Sequence, residues 1–162
     1  MNVADGGSGM DRLRGYFASL DWPVQPVGDG PGVNWAYRGE HGEWYGQTWW
    51  FDEVEQLLVY SVCPLPIPEP TRSGVAQLVL TVNSEIVVGC LEFDPDSGQV
   101  RFRTGLGIGR ADLTDAVIDR AIRANVLTLD RYLPALVRTA AGEPPAEALS
   151  ETVATRPVGR PG

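Results

Sequence analysis

Three β-patterned runs in close succession, 33–38, 43–51 and 56–62, constrain the fold of this chain more than any other feature. Aromatic and β-branched residues fill them, and Gly39 and Gly42 bracket the first connection. Connections this short cannot hold the crossover that parallel strands need, so the runs form an antiparallel meander. Pro64, Pro66, Pro68 and Pro70, which cannot donate to a sheet ladder, close it.

Helical periods flank the meander. Met10, Leu13, Tyr16, Phe17 and Leu20 recur at three- and four-residue steps and predict a helix ending near Leu20, with Ser8 or Asp11 as its cap and Trp22-Pro23 beyond it. A second stripe, Val75, Leu78, Val79, Val82 and Ile86, is entered through Glu69-Pro70 and stops near Asn83. Runs 87–93 and 99–104 then flank the turn-forming Asp94-Pro95-Asp96-Ser97-Gly98, a second hairpin. From 110 to 141 the helical period returns through Leu113, Val117, Ile118, Ile122, Leu129, Leu133, Leu136 and Val137, where Pro134 is expected to kink or split the helix. The order α-β-β-β-α-β-β-α describes one α+β domain over 10–141, an antiparallel sheet packed by helices. Segments 1–9 and 142–162, rich in Gly, Pro, Ala and Ser, are expected to be flexible.

Composition removes whole mechanisms. All thirteen basic residues are arginine, so a lysine Schiff base and a Walker lysine are excluded. A formal charge of −8 and a pI near 4.6 disfavour nucleic acid and anionic membranes and suit a neutral or basic protein partner. One histidine, His41, and two distant cysteines, Cys63 and Cys90, offer no zinc spacing. With no signal peptide and no apolar run of membrane length, the expected location is the cytoplasm.

The candidate sites are sparse. Gly105-Leu106-Gly107-Ile108-Gly109 lacks the third glycine of a dinucleotide fingerprint and reads as a flexible strand-to-helix connection. The acids around Asp94 lack most ligands of a calcium loop and read as a turn. His41 reads as an exposed turn residue, and both cysteines as buried structural ones. No metal or other cofactor is expected.

The remaining signal is aromatic. Along 43–51, period two places Trp44 and Trp50 on one face and Tyr45, Trp49 and Phe51 on the other, so both faces are apolar. Helices cover one; the other calls for a further helix or a second molecule. In the second hairpin Leu91 falls opposite Phe102 and Phe93 opposite Val100 on the core side, with Glu92 opposite Arg101 and Cys90 opposite Arg103 on the reverse. Aromatics with arginines are what protein interfaces enrich, so Trp44, Trp49, Trp50, Glu92, Arg101 and Arg103 are the candidates for dimerisation or client capture.

The segments Leu57-Leu58-Val59-Tyr60-Ser61-Val62-Cys63-Pro64, Gly89-Cys90-Leu91-Glu92-Phe93-Asp94 after Asn83, Gly98-Gln99-Val100-Arg101-Phe102-Arg103-Thr104 and Asn125-Val126-Leu127-Thr128-Leu129-Asp130-Arg131-Tyr132-Leu133-Pro134-Ala135-Leu136 together resemble the YbjN-like family. That family is described as bacterial sensory transduction regulators with a type III secretion chaperone-like fold. The resemblance implies a non-enzymatic, often dimeric and acidic protein, and brings no catalytic residue. The leading expectation is a protein-binding module, chaperone-like or regulatory, acting as a homodimer on an unidentified protein client. The alternative is a small-ligand binder or an enzyme using Asp52, Glu53, Glu92 or Asp94, with or without a divalent ion.

Overall fold

The computed structural model describes residues 7–154, so the expectations for 1–6 and 155–162 concern segments outside the described residues. Helix α1, Gly9–Ser19, starts from a capping box in which Ser8 Oγ accepts from Asp11 N–H and Asp11 Oδ2 accepts from Ser8 N–H. It buries Met10, Leu13, Tyr16 and Phe17. A two-residue strand, β1 (Gln25–Pro26), follows; the meander is β2 (Gly32–Arg38), β3 (Glu43–Phe51) and β4 (Gln56–Val62). A single 3-10 turn at Glu69–Thr71 leads into α2, Arg72–Asn83, and the second hairpin is β5 (Cys90–Asp94) with β6 (Gln99–Gly107). Helices α3 (Asp115–Ala140) and α4 (Pro145–Ala154) complete the described chain.

The sheet has six antiparallel strands in the order β1-β2-β3-β4-β6-β5. The fold is the expected α+β arrangement, with α1, α2 and α3 against the sheet and α4 on α2 and α3. Burial along β3 alternates strictly: Trp44, Gly46, Thr48 and Trp50 are buried, and the residues between them are not. Leu57 and Val59 of β4 and Val100 and Phe102 of β6 join them under α1, α2 and α3. Asn125 of α3 staples that helix to the sheet, its Nδ2 donating to the carbonyls of Val59 (2.9 Å) and Phe102 (3.1 Å) and to Thr104 Oγ1 (3.3 Å).

Four expectations need correction. The third helix begins at Asp115 rather than 110, because Arg110–Asp112 make a 3-10 turn and the Thr114 side chain accepts from Val117 N–H as the cap. Pro134, expected to kink or split it, lies inside one continuous helix, where Leu133, Ala135 and Leu136 are all buried. Strand β6 continues to Gly107, so Gly105 and Gly107 are strand residues and not a connection. Strand β5 begins only at Cys90; Val87 and Val88 are exposed, and Gly89, at φ +83°, turns the chain where a Cβ would meet Arg103 O and the Phe102 ring.

The segment expected to be flexible from 142 also departs from expectation. Helix α4 packs on α2 and α3 with Ala148 and Thr152 buried, and Arg138 of α3 pairs with Glu143 and Glu151.

Candidate protein-binding face

All four helices lie on the side of the sheet that buries Trp44 and Trp50, which leaves the opposite, outer face bare. Period two along β3 brings Tyr45, Trp49 and Phe51 to it, and β4 adds Leu58, Tyr60 and Val62. Tyr45 is 73% exposed. Trp49 lies over Gly32, where a Cβ would come within 2.7 Å of the ring. Its plane is parallel to that of Phe51, with centroids 6.1 Å apart. These residues form an apolar floor that no helix of the described chain covers; Tyr45 is exposed and the others are half-buried, with Gly30 and Gly32 against Trp49 and Arg101 over Tyr60.

Beside the floor stand the charged residues of β5 and β6. The register is the one read from the hairpin: Glu92 opposite Arg101, Cys90 opposite Arg103, Leu91 opposite Phe102 and Phe93 opposite Val100. Glu92 serves both arginines, taking Arg101 Nε at 2.6 Å and Arg103 Nε at 2.8 Å. The Arg101 guanidinium also sits 4.6 Å from the centre of the Tyr60 ring, a cation–π contact across β4 and β6. Arg103 Nη2 approaches Cys90 Sγ at 3.8 Å; that contact and the Glu92 carboxylate hold the Arg103 guanidinium still more firmly protonated than usual.

The six candidate residues therefore divide. Trp49, Glu92, Arg101 and Arg103 share the outer face. Trp44 and Trp50 are 3% and 0% exposed and belong to the core, where Trp50 Nε1 donates to Asp52 Oδ1 at 2.8 Å. Trp50 offers a partner no surface, and Trp44 only the ring edge that lines a hollow beside Tyr45. Tyr60 was not singled out from sequence, because its arginine neighbours reach it through the β4–β6 pairing, which joins strands distant along the chain. The same alternation that placed Trp49 outward is the signal that could have found it.

At one end of this face β4 stops short: Ser61 pairs with Gly46, so Glu43–Tyr45 have no β4 neighbour. The result is an open hollow of about 700 Å³ lined by Tyr37, Trp44, Tyr45, Val62, Cys63 and Pro64. Cys63 is buried, as expected, and burial pushes its thiol up; Cys90, half-buried on the outer face, is not the core residue expected.

The other candidate chemistry disperses. Asp52 and Glu53 stand in the β3–β4 turn, whereas Glu92 and Asp94 approach the opposite end of the sheet. Asp94 accepts from Ser97 Oγ and Asp96 N–H, which holds its carboxyl below its ordinary value and closes the hairpin. Glu40, His41 and Asp130 bring possible metal ligand atoms within 4.8 Å of one another. Both Asp130 oxygens, however, accept turn N–H groups, from Glu40 and His41 at 2.9 Å each. Asp130 is thereby the clamp that fixes the β2–β3 turn to α3.

A six-stranded antiparallel sheet with its helices on one side defines an α+β protein whose fold is type III secretion chaperone-like. The chain belongs to the YbjN family, "Putative bacterial sensory transduction regulator", whose model matches residues 10–138. Among solved structures, YbjN from E. coli superposes with a TM-score of 0.60 at 12% identity, over 78% of this chain and 89% of that one. A chain of the ExsC–ExsE complex gives 0.56 at 12% identity, over 82% and 95%. No curated protein is significantly similar in sequence.

Proposed function

We propose that this protein is a non-enzymatic, chaperone-like or regulatory protein-binding module that works as a homodimer and holds a client segment on the outer face of its sheet. The observation that carries the reading is that face itself. Tyr45, exposed, and the half-buried Trp49, Phe51, Leu58 and Tyr60 share with Arg101 and Arg103 one surface that no helix covers. Uncovered apolar surface on this scale marks interaction sites, and aromatic and arginine residues dominate binding hot spots. The likeness to the ExsC–ExsE complex, a complex of two proteins, agrees with a protein partner. The cytoplasm is the proposed place of action, supported by two unpaired thiols, Cys63 and Cys90, a state that a reducing compartment keeps.

The client sits on the outer face and the homodimer forms elsewhere. Two copies placed face to face would each present two guanidiniums to one carboxylate, a juxtaposition of like charge. The test is recovery of protein partners from the native cell by the tagged chain and by its Trp49→Ser/Arg101→Glu variant, with light scattering on both. The expected result is a dimer in both cases and partners with the parent chain only. Equal recovery by the variant would overturn the reading of the face, and a strict monomer at tens of micromolar would overturn the dimer.

A further inference from the structure

The two arginines of the outer face are held side-on. Glu92 meets each through Nε, and the Tyr60 ring lies against the guanidinium of Arg101. Among the described residues neither Nη of Arg101 makes a hydrogen bond, and Arg103 spends one Nη only on the weak sulfur acceptor Cys90. Their side chains remain 45% and 43% exposed. A guanidinium fixed through Nε and stacked on a ring keeps its end-on fork of two N–H groups pointed away from its support, the geometry that takes a carboxylate bidentately.

Two guanidiniums share the one carboxylate of Glu92; Asp94, still charged, is tied to Ser97 and Asp96 in its own turn and to neither arginine, and Arg38 and Glu43 at the far corner pair with each other. The strand spacing puts Arg101 and Arg103 about 10 Å across the sheet from Tyr45 and Gln47 of β3, with Trp49 about 7 Å further along that strand, so some four extended residues reach from Arg103 to Trp49. We infer that the client segment carries a carboxylate side chain that docks on Arg101 and Arg103 while its apolar neighbours cover Trp49, Phe51 and Leu58. Glu92 stays on the Nε side of both arginines, where its charge offsets part of theirs without filling the forks. The total charge of −8 still favours a partner that is neutral or basic as a whole. The arginine pair requires a carboxylate only within the seated segment.

This inference rests on the outer face being the contact surface, and calorimetry with defined probes separates the two. The probes are an end-blocked decapeptide of leucine and serine with two glutamates, the same peptide with glutamine for glutamate, and an oligothymidylate. The glutamate peptide is expected to bind about tenfold or more tighter than the glutamine peptide, as loss of a charge-assisted pair implies. Arg101→Gln or Arg103→Gln should erase the difference, and Glu92→Gln should raise affinity for the glutamate peptide several-fold. A merely structural Glu92 could not produce that gain. Circular dichroism checks that each variant folds. Equal binding of the two peptides overturns the carboxylate inference while leaving the face reading standing. Absence of binding by either also overturns it, and partner recovery then judges the face alone. Arg101-dependent binding of the oligothymidylate in preference to the peptide overturns it in favour of a nucleic-acid ligand.

Discussion

Adjacent tryptophans of β3 have opposite assignments. Trp50 is fully buried, packed against Gly9 at the start of α1 so closely that a Cβ there would fall 2.0 Å from its Nε1. Trp49 lies on the outer face over Gly32. Trp50→Ala is therefore expected to cost about 3–5 kcal/mol of unfolding free energy, and Trp49→Ala on the order of 1 kcal/mol, measured by chemical denaturation. Similar losses from both would contradict the assignment of faces. Period two was enough to separate the pair in sequence. Which of the two faces the helices cover was not legible there, since both are aromatic and the choice is made by contacts with α1 and α3, far away in the chain.

Element by element, legibility followed the strength of local pattern. The meander and the β5–β6 register could be read because their turns are short and carry the glycines and aspartates that such turns need. Helix α4 could not: its buried surface is small, Ala148 and Thr152 with Leu149 partly covered, and its place depends on α3 and on Arg138 meeting Glu143 and Glu151. The extension of β6 through Gly105 and Gly107 was equally hidden, because β4 supplies the pairing that makes a strand of them. Helix α4 touches α2 and α3 and is accordingly expected to be dispensable to the sheet. Ala148→Asp, which buries a charge beneath it, is expected to abolish hydrogen-exchange protection in 145–154 and to leave that of β3, β4 and β6 close to the parent level. Loss of protection throughout the sheet would show instead that α4 is integral to the fold.

Taken as a whole, the molecule spends its helices on one side of the sheet. The sequence pattern revealed a two-faced aromatic strand and two arginines opposite Glu92 and Cys90. Bringing these together on one surface required the β4–β6 pairing, which also sets Tyr60 against Arg101. The candidate carboxylates of an enzyme, by contrast, end in separate turns and ion pairs. The central claim, that a client seats on the outer face, has a direct test in the five tryptophans, Trp22, Trp35, Trp44, Trp49 and Trp50, each with one indole N–H resonance. Nuclear magnetic resonance titration of the ¹⁵N-labelled protein with its recovered partner is expected to shift the Trp49 resonance strongly while those of buried Trp35, Trp44 and Trp50 stay near their free positions. A bound partner that leaves Trp49 unmoved would contradict the claim.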